Sequence, residues 1–150
     1  MKFKFRLEKV LELRRWEEKQ AEMALAAKAG ECLNLQNQIV ALRNEKTDSF
    51  RRRRPTDPLS VFLAVEAFGA RLQKQADALE DVLMKKLLER DELQKIFLAA
   101  QTKRKVLDKL QEKRHAEFKK TQAQLEFKRQ DDLNTAAFVR KIAAREAFLG

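Results

Sequence analysis

Both prolines of the chain, Pro55 and Pro58, stand in one stretch, Ser49-Phe50-Arg51-Arg52-Arg53-Arg54-Pro55-Thr56-Asp57-Pro58. Between Gly69 and Gly150 neither glycine nor proline interrupts the sequence. Pro55 turns Arg54 away from helical geometry. Asp57 followed by Pro58 reads as a helix cap with proline at the first helical position. The pattern predicts a first helix over about 6–52, a turn over about 53–57 and a second helix over about 58–130, with a helical tail over about 131–149. An ordinary globular helix has about 11–12 residues. Helices this long point to a coiled coil, and residues 1–150 are read as a single coiled-coil domain.

Composition agrees and excludes alternatives. Seven valines, three isoleucines and five threonines are few for a sheet protein, and three glycines leave little for tight turns. The scattered glycines match no phosphate-cradling loop. One His and one Cys do not make an ordinary zinc site, so no metal or cofactor is expected, nor any catalytic group. The single cysteine, Cys32, forms no internal disulfide and fits a reducing compartment. The start, Met1-Lys2-Phe3-Lys4-Phe5-Arg6, alternates apolar and basic residues and lacks the apolar run of a secretory signal. Apolar runs such as Val61-Phe62-Leu63-Ala64-Val65 fall far short of the about 20 residues that span a bilayer.

Heptad spacing supports a self-paired hairpin. In the first helix Leu11, Leu25, Cys32 and Ile39 share one seven-residue series, interrupted by Glu18. Leu7, Ala21, Leu35 and Leu42 share its companion, interrupted by Arg14 and Lys28. In the second, Val65, Leu72, Leu79, Leu93, Ala100 and Leu107 form one series around Lys86, and Ala76, Leu83 and Phe97 its companion around Arg90. Such stripes bury against a partner helix, and their polar members weaken the seam while fixing register. A symmetric turn at residue 55 sets Ile39 opposite Leu72, Leu35 opposite Ala76 and Cys32 opposite Leu79. Leu25 and Lys28 then approach Leu83 and Lys86, Leu7 and Phe3 approach Lys103 to Leu107, and Glu17, Glu18 and Glu22 lie near Arg90. On this register pairing ends near residue 107, and residues 108–150 overhang. The fold class is all-α: two long antiparallel helices in a coiled-coil hairpin with a C-terminal helical overhang.

The opening Phe5-Arg6-Leu7-Glu8-Lys9-Val10-Leu11-Glu12-Leu13-Arg14, the following Glu17-Glu18-Lys19-Gln20-Ala21-Glu22 and the end from Asp131-Asp132-Leu133 to Ala143-Ala144-Arg145 resemble the FliJ family of flagellar export proteins. Length and the single break near one third match as well. The resemblance implies a non-enzymatic part of the flagellar type III export apparatus, similar to the central stalk of rotary ATPases. Its implied partners are the hexameric flagellar export ATPase, the cytosolic part of the membrane export gate and the chaperones that escort export substrates. Its implied location is the cytoplasm, peripherally at the inner face of the bacterial membrane. A Phe-x-x-x-Leu pair important for the gate in that family is matched by Phe68-Gly69-Ala70-Arg71-Leu72, with Phe62 shortly before. The family's next polar position is Leu79 here.

From the residues alone, Leu72 reads as seam core, whereas Phe68 lies off the main series and reads as a contact residue. The free end gathers Leu7, Val10, Leu13 and Arg14 with Arg104, Lys105 and Lys109, a basic end suited to an acidic-lined ATPase ring. The basic turn, Arg51, Arg52, Arg53 and Arg54, reads as a solvated tip, with an acidic partner or anionic lipid as the sharper alternatives. Trp16 lies off the seam, and His115 reads as a surface histidine.

The formal net charge of +10 raises nucleic acid as a competing partner. The 23 acidic residues interspersed among 33 basic ones, and the absence of tyrosine, argue against it, and no nucleic-acid partner is expected. A virulence-type secretion stalk shares the architecture. A generic basic adaptor fits the periodicity too, but should dimerise through its seam, whereas a self-paired hairpin should be a monomer.

Overall fold

A computed structural model describes residues 2–149 of the chain. Two helices, α1 (Glu8–Arg51) and α2 (Leu59–Leu149), pack against each other, and the described residues contain no strand. The fold is an all-α helical hairpin. The segment 131–149, expected as a separate tail, continues α2 without a break. Contacts gather into two compact units: Leu13–Lys103, and Met1–Glu12 together with Arg104–Gly150.

In the unit Leu13–Lys103 the buried side chains are heptad members. Cys32 and Ile39 on α1 and Leu72 and Ala76 on α2 are buried. Leu25, Leu35, Leu42, Val65, Leu79, Leu83, Leu93 and Phe97 are half-buried. A seam between only two helices covers each side chain from one side, so few positions lose all their solvent.

The register differs from the symmetric-turn expectation. Lys28 reaches Glu89, further along α2 than the Leu83 and Lys86 expected for it. Arg43 pairs with Glu80, and Lys46 donates to Gln73 at 3.2 Å. Leu72 thus lies at the level of Lys46, about two helical turns further along α1 than Ile39. The same displacement moves Ala76, Leu79 and Leu83 off the partners expected for them, whereas Lys86 still meets Lys28 through the carboxylate of Glu31. Arg90 takes Asp91 of its own helix at 3.2 Å in place of the α1 glutamates, and Glu17 takes Arg14 at 3.0 Å.

The cause is the turn. Residues 52–58 do not close a tight tip but leave α1 and lie beside the first turns of α2. The Arg53 guanidinium stacks on Phe50 at 4.6 Å and on Phe62 at 5.5 Å. Asp57 reaches backward rather than capping α2: its carboxylate accepts from the Arg54 backbone N–H at 2.7 Å, while its own N–H donates to the Arg54 carbonyl at 3.0 Å. Gly69 is buried under Phe50, and a Cβ at that position would stand 3.0 Å from Phe50 Cζ and 3.2 Å from Cε2. A side chain at position 69 would force the ring back from where it sits.

Four charges brace the middle of this seam. Lys28 Nζ donates to Glu89 at 2.9 Å and lies 3.2 Å from Glu31, whose carboxylate also takes Lys86 Nζ at 3.2 Å. Hydrogen bonds to Glu89 and then Glu31 hold the Lys28 pKa above its ordinary value. Lys86 and then Lys28 hold Glu31 below its own, and Lys28 does the same for Glu89. Of the polar seam positions noted in the sequence, Lys28 and Lys86 are therefore paired across the helices, which offsets part of the stability that apolar residues there would supply.

Candidate functional site

Within the unit Leu13–Lys103, the turn end gathers the first set of candidate contact residues. Phe62 is half-buried against Arg53, so its ring closes the turn as well as bordering the surface. Phe68 precedes Gly69 on α2 and lies at the rim of the seam, 38% exposed. Leu72 is 5% exposed and belongs to the seam core. Of Phe62, Phe68 and Leu72, Phe68 thus offers the most apolar surface to a partner. Arg51, Arg52 and Arg54 are exposed around this end, whereas Arg53 is drawn inward between the two rings.

The unit formed by residues up to Glu12 and from Arg104 onward is built differently. Residues 2–7 are not helical, and Phe3, Phe5 and Leu7 are half-buried while Lys2, Lys4 and Arg6 are exposed. One face of this segment is thus covered, and it runs into α1 through a turn in which the Glu8 N–H donates to the Phe5 carbonyl at 3.2 Å. The Phe3 ring meets His115 edge-on at 4.9 Å and Phe118 at 5.5 Å. Glu8 accepts from Gln111 at 3.0 Å. A groove of about 560 Å³ runs between residues 3–7 and Leu110, Arg114, Phe118 and Thr121 of α2. Phe3 therefore reaches well beyond the Lys103 to Leu107 level expected for it. Contacts of the N-terminal segment reach Phe118 and Thr121, so α2 is covered beyond residue 108, and residues 123–149 are exposed throughout.

The free-end candidates differ in what they present. Leu7 is half-buried, Leu11 beside it is fully buried, and Val10 is exposed. Arg104 is half-buried and paired with Asp108, whereas Lys105 and Lys109 are exposed. Leu13, exposed, and Arg14, half-buried and held by Glu17, belong to the other unit. No described helix is long and apolar enough to cross a membrane.

The sequence model of the flagellar FliJ protein family matches residues 3–143, nearly the whole length of this helical hairpin. The chain belongs to the FliJ family. No curated protein and no solved structure matches it. FliJ-family membership implies a component of flagellar type III export, in a family of non-enzymatic export proteins. The match begins at Phe3, within the non-helical segment that docks on α2, and spans the turn and Gly69.

Two parts of this FliJ-family chain are not assigned by the sequence reading. One is the Phe50–Arg53–Phe62 stack, whose signal was two phenylalanines flanking the arginine run. The other is the docking of segment 2–7 on His115 and Phe118, for which the alternation of Phe3, Phe5 and Leu7 with basic residues, read above only as excluding a secretory signal, is the available sign.

Proposed function

We propose that this protein is a stalk that couples the flagellar export ATPase ring to the cytosolic part of the membrane export gate and hands back the chaperones that escort substrates. The observation that carries the reading is that the two helices satisfy their own seam, while partner-type surface remains at the two ends. At the turn end, Phe68 is the gate contact, with Phe62 shaping its border and Leu72 supporting it from the core. At the free end, the basic side chains Lys105 and Lys109, with Val10, enter an acidic-lined ring. Leu7 and Arg104 hold that end together. The chain works in the cytoplasm, peripherally at the membrane, as a monomer and without catalytic groups, cofactor or nucleic acid. The match to the flagellar family favours flagellar export over virulence-type secretion.

The test separates the two ends. Phe68→Ala should weaken capture of the gate's cytosolic domain about tenfold or more, the scale of an apolar anchor, and leave stimulation of the export ATPase unchanged. Lys105→Glu with Lys109→Glu should do the reverse, and more steeply at low salt. Equal effects of both variants on both partners, or no binding by the unaltered chain, contradict the reading.

A further inference from the structure

The turn end carries a surface that the coupling role leaves unused. Between Ser49 and Val65 stand four arginines and a single carboxylate, Asp57. That carboxylate is half-buried and engaged by the Arg54 backbone. Arg53 is held against Phe50 and Phe62, and Arg51, Arg52 and Arg54 remain exposed. No acidic residue occupies the first turn of α2, so its positive N-terminal end adds to the same field. Beside the arginines, Leu59 is 72% and Leu63 is 62% exposed. Four residues apart on a helix, they share one face.

We infer that this end docks directly on an anionic lipid bilayer, with Arg51, Arg52 and Arg54 engaging headgroup phosphates and Leu59 and Leu63 entering the apolar boundary. Basic residues next to exposed large apolar side chains suit an interface that is charged at its surface and apolar a few ångströms below. A nucleic acid would use a row of exposed rings for stacking, whereas Phe50 and Phe62 carry Arg53 and Phe68 stands alone at the seam rim. An acidic protein surface would leave the leucines in water. The inference does not rest on the gate reading, since it uses none of Phe62, Phe68 and Leu72 for contact.

The experiment is flotation of the full chain with vesicles of phosphatidylcholine alone, or of phosphatidylcholine mixed with phosphatidylglycerol. Binding is expected only with phosphatidylglycerol and should weaken as salt rises. At about 1 kcal/mol for each basic residue near an anionic surface, each arginine is worth about fivefold. Arg51→Gln, Arg52→Gln and Arg54→Gln together should therefore lower partitioning about a hundredfold. Leu59→Asn with Leu63→Asn should lower it about tenfold or more. All five side chains are exposed, so helicity by circular dichroism should not change. Lys119→Gln, Lys120→Gln and Lys128→Gln remove the same net charge from exposed positions on α2 and should cost less than about fivefold. The inference is overturned if this control loses as much binding as the arginine variant, or if the arginine variant binds vesicles unchanged. It is equally overturned if the arginine variant loses affinity for an oligonucleotide or an acidic peptide while vesicle binding persists. Phe68→Ala should keep vesicle binding whatever it does to the gate, so failure of one reading is visible apart from the other.

Discussion

Replacing Gly69 tests what sets the helix register. A methyl group there would already stand 3.0 Å from Phe50 Cζ, 3.2 Å from Cε2 and 3.6 Å from the Lys46 side chain. Gly69→Leu adds three further carbons into the volume the ring occupies. Overpacking of this kind costs about 1–3 kcal/mol. Removing a glycine from a helix interior returns about 0.8–1 kcal/mol, so the net cost is about 0–2 kcal/mol. Phe50→Ala removes a half-buried ring and its contact with Arg53. Half of the about 3–5 kcal/mol lost on truncating a fully buried phenylalanine is about 2 kcal/mol. In the double variant the leucine enters the space the ring leaves. The two costs should then fall short of their sum by about 1 kcal/mol or more, within the range found for residues in contact. Urea unfolding followed by circular dichroism gives each stability from the transition midpoint and slope. Additivity within about 0.5 kcal/mol would refute the idea that Gly69 exists to admit Phe50.

Other outcomes follow from the braced seam and the docked N-terminal segment. Glu31 and Glu89 ionise below their ordinary value of 4.5 in the folded chain, so their contribution is present above pH about 4.5 and is lost as pH falls through their lowered values. Lys28 is raised from 10.5, so its contribution is present below that pH and is lost as pH rises through the raised value. Glu31→Gln with Glu89→Gln should therefore lower the melting temperature at neutral pH and low salt, with the difference vanishing in acid and shrinking at high salt. A pH-independent difference contradicts the pairing. Zero-length amine–carboxylate cross-linking should join Lys28 to Glu89 and Lys86 to Glu31, whereas links from Lys28 to Asp81 would restore the symmetric-turn register. Phe3→Ala should raise protease cleavage within residues 2–7 without reducing helicity measurably, because the ring is the main anchor of that segment on His115 and Phe118. Unchanged cleavage contradicts the docking.

Much of the fold was legible because it rests on local signals. Pro55 and Pro58 mark the break, and the heptad series name the residues that become buried, Cys32, Ile39, Leu72 and Ala76 among them. Register was not legible, because it depends on how a seven-residue connection lies against α2. That is decided by the fit of Phe50 over Gly69 and by Arg53 between two rings, contacts that periodicity does not encode. Asp57 shows the same limit: its place before Pro58 suggests a helix cap, yet its carboxylate closes the turn on Arg54 instead. At the candidate site, sequence pattern separated Leu72 from Phe68 by their places on and off the seam. It did not show that Arg104 is tied to Asp108 while Lys105 and Lys109 stay exposed, since pairing within one helix face depends on side-chain geometry.

The central claim is that one chain joins two machines by its two ends. Its most direct measurement is light scattering of the purified chain mixed with the export ATPase hexamer and the cytosolic domain of the gate, together and separately. Coupling predicts a ternary complex in which a single copy of the chain holds both partners, with neither displacing the other. Mutually exclusive binding, or a stable dimer of the chain that occupies its own contact surfaces, would contradict it.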